Sequence, residues 1–154
     1  MEGDIGMTAT DADSIDQAQQ EITEEFGLFD DWMDRYQYLI DLGKKLEPLP
    51  ADLKTDDRLV DGCQSQVWLV VDGDARRLDI RANSDATIVS GLISLLLRVY
   101  SGHSPQAVLD ARPWFIEEIG LSKHLSPTRA NGLHAMLGAI RGHARRLANT
   151  DEEG

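Results

Sequence analysis

The chain has 154 residues, a formal net charge of −12 and one cysteine. This length suits a single globular domain that buries its core without a disulfide, and a surface this acidic would repel nucleic-acid phosphates and anionic lipid. One cysteine forms neither an internal disulfide nor, alone, a four-thiolate metal site, so we expect a protein of the reducing cytoplasm that binds neither nucleic acid nor a membrane.

The first twenty residues are acidic and polar and carry few large apolar side chains. So little apolar surface does not offset the entropy of ordering the chain. The basic start and apolar stretch of a signal peptide are also missing from this segment. We therefore predict an acidic disordered tail over residues 1–20, a folded domain over 21–148 and a second tail over 149–154.

The first predicted element is a helix that begins near Phe29. Apolar residues from Phe29 to Gly43 recur at helical spacing, with charged residues on the opposite face. The helix should end near residues 44–46, because Pro48 and Pro50 cannot continue it.

The middle of the chain changes to the period of a β-sheet. Residues 67–71 are apolar and β-branched, Asp72-Gly73-Asp74 is a turn signal, and apolar residues alternate with charged ones over 78–82. Residues 58–61 predict a short preceding strand. Together these segments predict a small antiparallel sheet of about three strands.

Helices follow the sheet. Asp85 can cap a helix that begins at Ala86, and its apolar run, residues 88–99, is shorter than the roughly 18 residues of a membrane span. Ser104-Pro105 and Ser126-Pro127 each place a capping residue before a proline at the first helical position. Helices before and after a compact sheet predict the α+β class, and they argue against a doubly wound nucleotide fold.

Cys63 lies in a turn immediately before the strongest predicted strand. Gly62 permits a sharp backbone turn, and Gln64, Ser65 and Gln66 offer neutral donors that could stabilise a sulfur anion. The alternative is that Cys63 is a small buried filler, as lone cysteines often are. Residue types alone leave both interpretations open.

The segment from Gly62 to Trp68, GCQSQVW, resembles the signature of the SufE family of sulfur acceptor proteins. Four further segments resemble the family in the same order: WMDRYQYLIDLGKKL (32–46), NSDATIVSGL (83–92), RPWF (112–115) and HLSPTRANGLHAM (124–136). The resemblance extends over about residues 28–147. It implies a fold shared by SufE proteins and IscU-type scaffolds.

The resemblance also implies a function. Cys63 would take persulfide sulfur from a SufS-type cysteine desulfurase, stimulate that enzyme, and pass sulfur to a SufB-containing scaffold for iron–sulfur cluster assembly. Pyridoxal phosphate would belong to the desulfurase, so we expect no cofactor and no metal here, and no stand-alone enzyme. The Cys63 loop would be sheltered at rest and swing out to meet its partner.

Several other positions match family residues that we associate with the loop or the partner. They are Gln64, Ser65, Gln66, Asp85 and Arg129. Asp85 also has the simpler interpretation of a helix cap. Arg129 is harder to explain as a stabilising residue, because a cation in the first turn of a helix is unfavourable. Asp61, two residues before Cys63, would oppose thiolate formation if it pointed towards the sulfur.

Three other functions remain open at this stage. An IscU-like iron–sulfur scaffold would share the fold, although a scaffold requires several cysteine ligands and this chain has one. A cysteine hydrolase would need a histidine oriented by a third group. A structural interaction protein would carry an inert cysteine. The four histidines show no paired ligand spacing.

Overall fold

The structure is a computed structural model that describes residues 11–63 and 65–153. Its helices are α1 (Asp11–Phe26), α2 (Trp32–Lys44), α3 (Thr87–Tyr100), α4 (Pro105–Asp110), α5 (Phe115–Glu118), α6 (Leu121–His124) and α7 (Pro127–Glu153). Strands β1 (Val67–Gly73) and β2 (Leu78–Ser84) follow two 3₁₀ turns, Ala51–Leu53 and Asp56–Arg58. The predicted α+β class is confirmed.

The sheet is an antiparallel hairpin of two strands, in which Val67 lies opposite Ser84 and Gly73 lies opposite Leu78. The third strand predicted over residues 58–61 is reduced to one bridge between Leu59 and Trp68. A 3₁₀ turn immediately before Leu59 and a glycine turn after it leave the segment too short to pair further. The alternating side chains of β2 are buried as predicted.

The hairpin turn lies slightly beyond the predicted Asp72-Gly73-Asp74. Gly73 still pairs with Leu78, at a φ of +122° that glycine readily adopts. Asp74 then closes the turn, since its Oδ1 accepts hydrogen bonds from the backbone N–H groups of Arg76 (2.8 Å) and Arg77 (3.2 Å).

Helix α3 is the centre of the core and is buried along most of its length. It approaches α2 closely because glycines lie where the two helices cross. A Cβ at Gly91 would lie 2.1 Å from the Leu39 carbonyl oxygen, and one at Gly43 would lie 2.5 Å from that of Thr87. This close packing fixes the face of α3 that lies beside the Cys63 loop.

The predicted disorder over residues 1–20 is wrong for residues 11–20, which belong to α1; residues 1–10 lie outside the described part of the chain. The side chains that α1 buries recur at helical spacing: Ile15, Ala18, Gln19, Ile22 and Phe26. Gln19 is also satisfied, because its Oε1 accepts a hydrogen bond from Phe115 N (3.1 Å). A small number of apolar side chains is sufficient to hold α1 in place as a helix when they all face the core.

Helix boundaries follow the capping residues. Asp31 caps α2, which therefore begins at Trp32 rather than at Phe29. The predicted starts after Ser104 and Ser126 are confirmed, since each hydroxyl accepts a backbone N–H three residues later. Helix α7 continues to Glu153, so the tail predicted over 149–154 is helical through Glu153.

The long helices also bear on the expectation about membranes. Within residues 11–63 and 65–153, no helix is both long and apolar enough to cross a membrane.

Candidate functional site

Cys63 lies on a loop whose described residues are 61–63, 65 and 66, between the Leu59 bridge and strand β1. Gly62 gives this loop its direction with a φ of +93°, a conformation that favours glycine. The Cys63 side chain is half-buried, and its Sγ donates a weak hydrogen bond to the carbonyl oxygen of Gly132 on α7 (3.6 Å). A Cβ on Gly132 would lie 3.7 Å from the sulfur, so the thiol rests directly on the helix backbone.

A cavity of about 390 Å³ opens beside the thiol. One wall is apolar and comes from α3 and α7: Val89, Leu92, Leu133 and Met136. The other wall is polar and comes from the loop and the start of α7: Ser65, Ser126, Thr128 and Arg129. The sulfur therefore lies between an apolar shelter and a set of donors that includes one cation.

Burial raises the pKa of the Cys63 thiol above its ordinary value, because desolvation disfavours the thiolate. The carboxylate of Asp61, which the sequence suggested as an opposing charge, is not the cause. Asp61 is exposed and lines a separate groove of about 620 Å³ between the residues that precede Cys63 and α7. In the closed loop, burial thus favours the thiol over the more nucleophilic thiolate.

Asp85 fastens the exit of the loop. Its Oδ1 accepts a hydrogen bond from Gln66 N (3.1 Å), and its own N–H donates to Gln66 O (3.3 Å). The prediction that Asp85 caps a helix beginning at Ala86 is wrong. Helix α3 begins at Thr87, its cap position is Ala86 and receives no side-chain cap, and the Asp85 carboxylate is committed to the loop instead.

Arg129 lines the cavity beside Cys63, but its guanidinium is directed to α2. Its Nη1 donates a 2.7 Å hydrogen bond to the Tyr36 hydroxyl, and its central carbon lies 5.8 Å from the centroid of the Tyr36 ring. In the sequence, Tyr36 is one of the apolar positions that recur at helical spacing between Phe29 and Gly43. No sequence signal links it to Arg129, since the pair is separated by 93 positions.

The remaining predicted site residues divide into three groups. Ser65 lies in the cavity with Cys63 and Arg129, whereas Gln66 and Asp85 form the clamp at the loop exit. Gln64 lies outside the described residues. The sequence did not predict the backbone of Gly132 as the resting place of the sulfur. The signal available in the sequence was a glycine within the helix predicted after Ser126.

No group of three or more His, Cys, Asp or Glu side chains in the described part of the chain is placed to hold a metal ion. The polar side chains that line the site are the hydroxyls of Ser65, Ser126 and Thr128 and the guanidinium of Arg129, groups that can donate hydrogen bonds to an anion.

Comparisons with known proteins place this chain in a family. A hypothetical protein from Thermus thermophilus, known from its solution structure, is 26% identical to this chain. The match has a TM-score of 0.69 and covers 86% of this chain and 96% of that one. The SufE family model, described as an Fe-S metabolism associated domain, matches residues 20–144. The chain therefore belongs to the SufE family, whose domain is associated with iron–sulfur metabolism.

Proposed function

We propose that this protein is a sulfur acceptor. It takes persulfide sulfur onto Cys63 from a SufS-type cysteine desulfurase, stimulates that enzyme by unloading it, and passes the sulfur to a SufB-containing cluster scaffold. The observation that carries the proposal is the placement of the only cysteine of a SufE-family chain, half-buried on a glycine-turned loop at a cavity of about 390 Å³.

The transfer step is a thiol–persulfide exchange. Cys63, as a thiolate, attacks the outer sulfur of a persulfide carried by the desulfurase cysteine, and a new sulfur–sulfur bond forms as the one in that persulfide breaks. The desulfurase cysteine leaves as a thiolate and takes up a proton, while Cys63 has lost one. The exchange is electron-balanced and requires no external oxidant or reductant.

The cavity supports a carrier because a sulfane sulfur on Cys63 needs shelter from water and from other thiols. The apolar side of the cavity, formed by Val89, Leu92 and Met136, excludes water. The hydroxyls of Ser65 and Thr128 lie on the polar side, where they can donate to a sulfur anion. The apolar side and the polar side of the cavity both suit a sulfane sulfur carried on Cys63.

Opening of the loop is the second requirement, since a sulfur that rests on α7 cannot reach a partner's active site. Among the described residues, the hydrogen bonds that hold it are one weak S–H bond to Gly132 O and the two bonds between Gln66 and Asp85. Local opening against bonds of this kind costs far less than global unfolding. In this proposal the desulfurase stabilises the open loop.

The C–S bond of free cysteine is broken in the desulfurase, which supplies pyridoxal phosphate for that chemistry. This chain contributes the accepting thiol and the surface around it. In the proposal Gln64, Ser65 and Gln66 take part in docking the extended loop.

The test is mass spectrometry of the intact protein after incubation with a SufS-type desulfurase and free cysteine, without reducing agent. We expect one or more additional sulfur atoms on Cys63, which a reductant then removes as sulfide. Because the chain has one cysteine, the increment has one possible thiol site. Cys63→Ser is the matched control and should gain no sulfur while keeping its fold.

Absence of a sulfur increment on the wild-type protein would refute the carrier function. If the purified protein instead bound iron with thiolate charge-transfer absorption that Cys63→Ser removed, an IscU-like scaffold would be favoured. Hydrolytic activity without any desulfurase would favour a cysteine hydrolase.

Two further variants test the surroundings of the thiol. Arg129→Ala should weaken sulfur transfer without unfolding the protein, because it removes the cation that lines the cavity. Asp85→Arg should change the affinity for the desulfurase, because it breaks the clamp on the loop and reverses the charge there. Unchanged kinetics in both variants would leave Cys63 as the one functional side chain of the set.

A further inference from the structure

We propose that Tyr36 is a positioning residue that holds the Arg129 guanidinium away from Cys63, so that the cation reaches the sulfur only after the Tyr36–Arg129 contact opens. The role of Tyr36 in sulfur transfer rests on the proposed function. Its effect on the thiol itself does not, because the thiol can be examined without any partner.

The geometry of the pair points to a positioning role for Tyr36. Arg129 lines the Cys63 cavity, yet its Nη1 donates a 2.7 Å hydrogen bond to the Tyr36 hydroxyl. The guanidinium also lies within 5.8 Å of the Tyr36 ring centroid, a distance at which a cation is attracted to an aromatic face. Two separate interactions thus retain the cation on α2.

The charges around the thiol also point to this role for Tyr36. Among the described cavity-lining residues, Arg129 is the charged one. The Asp61 carboxylate lines the groove on the other side of the loop, and the Asp85 carboxylate is bonded to Gln66 N. Burial is the cause that raises the pKa of the Cys63 thiol, and the nearby cation does not offset it.

These observations together define two arrangements of the same residues. With Arg129 on Tyr36, the thiol stays protonated and unreactive. With Arg129 turned into the cavity, the guanidinium would stabilise a thiolate or a persulfide anion at Sγ, because an opposite charge within about 4–6 Å favours the charged form. Tyr36 therefore sets how often the sulfur is activated.

The experiment measures the rate of iodoacetamide alkylation of Cys63 as a function of pH, in the full-length protein without a desulfurase. Tyr36→Phe removes the hydroxyl acceptor and keeps the ring. We expect the midpoint of its pH–rate profile to fall by about half a pH unit to one unit. The alkylation rate at pH 7 should rise about two- to fourfold. This increase is smaller than the increase in the thiolate fraction, because a less basic thiolate is also less nucleophilic.

Tyr38→Phe is the matched control. It removes a tyrosine hydroxyl from the same helix, one that donates a 2.6 Å hydrogen bond to Glu25 on α1 rather than to a cavity residue. Its loss of packing and hydrogen bonding is similar, but we expect the alkylation midpoint of the wild type. A shift in both variants would show that loosening α2 is sufficient, and it would overturn the proposal.

The double variant Tyr36→Phe/Arg129→Ala tests whether the effect passes through the guanidinium. Its midpoint should equal that of Arg129→Ala alone. An unchanged midpoint in Tyr36→Phe, or a shift that persists without Arg129, would refute a positioning role. Because alkylation needs no desulfurase, such a result stays distinct from a failure of Cys63 to accept sulfur.

Discussion

The turns on the two sides of strand β1 both use a glycine with positive φ, yet they are held in different ways. After Gly73, the hairpin turn is closed by Asp74, whose carboxylate and N–H bond to Arg76 and Arg77. Every one of these bonds joins residues at most three positions apart. The stability of this turn therefore depends on adjacent residues and not on distant elements of the fold.

The Cys63 loop on the other side depends on distant elements. Its sulfur rests on Gly132, 69 positions away, and its exit is clamped by Asp85, 19 positions from Gln66. Such a loop can open while the sheet and helices remain intact, because the described bonds to Gly132 and Asp85 lie beyond the ends of the paired strands and outside the backbone bonding of the helices. The Cys63 loop and the hairpin turn thus differ in how far along the chain their hydrogen-bond partners lie.

The largest effect should come from adding a methyl group at each glycine. A Cβ at Gly73 would lie 2.0 Å from the Arg77 carbonyl oxygen, so Gly73→Ala combines a backbone clash with strain. We expect it to lower the free energy of unfolding by at least about 2 kcal/mol. Gly62→Ala meets the Ala135 Cβ at 3.3 Å and should cost about 1 kcal/mol.

Urea unfolding measures the difference in the free energy of unfolding between the two variants. Alkylation of Cys63 in native buffer then measures how accessible the thiol is in each of them. Gly62→Ala should expose the thiol, whereas Gly73→Ala should leave it sheltered as long as the protein is folded. Equal losses of stability, or a larger loss at Gly62, would contradict the description of Gly73 as the more constrained turn.

The second pair of variants removes one carboxylate from the Cys63 loop side of strand β1 and one from the hairpin turn. Asp85→Ala releases Gln66 N, and we expect native alkylation of Cys63 to accelerate about two- to fivefold, as the loss of one exposed hydrogen bond would allow. Asp74→Ala removes two local hydrogen bonds and should leave the alkylation rate at the wild-type value. An equal acceleration in both would mean that the loop opens with the whole hairpin.

The same contrast explains what could be predicted from the sequence. Local signals predicted the elements that depend on adjacent residues: the alternation in β2 and the caps at Ser104 and Ser126 are properties of a few neighbouring positions. Cys63 was predicted as a site residue because a glycine turn and a segment that resembles the SufE family surround it. Asp85 was predicted because it lies in a second such segment, residues 83–92.

Features that depend on tertiary contacts were missed. Composition suggested disorder for residues 11–20, although Ile15 and Ala18 already had the spacing of a buried helix face. The cap assigned to Asp85 failed because its carboxylate has a competing donor, Gln66 N, that sequence order does not reveal. The Tyr36–Arg129 pair joins two helices far apart in the chain.

The third prediction concerns pH. Burial raises the pKa of the Cys63 thiol, so alkylation of the folded protein should reach its midpoint at a higher pH than alkylation in urea. The sign for stability follows: the folded state keeps a proton that the unfolded chain releases, so Cys63 lowers the free energy of unfolding as pH rises between the two pKa values.

Cys63→Ser is the control for this pH dependence, since serine does not ionise in the range. Its stability should decline less across the same alkaline interval. Coincident alkylation midpoints in buffer and in urea would show that the loop spends most of its time open. That result would contradict the description of the Cys63 thiol as sheltered.

The smallest effect should come from two glycines on the same helix. Gly132→Ala and Gly138→Ala each replace a glycine inside α7 and should stabilise the helix by up to about 1 kcal/mol. A Cβ at Gly138 meets nothing within 4 Å, whereas one at Gly132 lies 3.7 Å from Cys63 Sγ, an ordinary contact that encloses the sulfur further. Only Gly132→Ala should slow native alkylation, by less than about twofold. If both variants slowed it equally, the stiffness of α7 rather than contact with its backbone would shelter the sulfur.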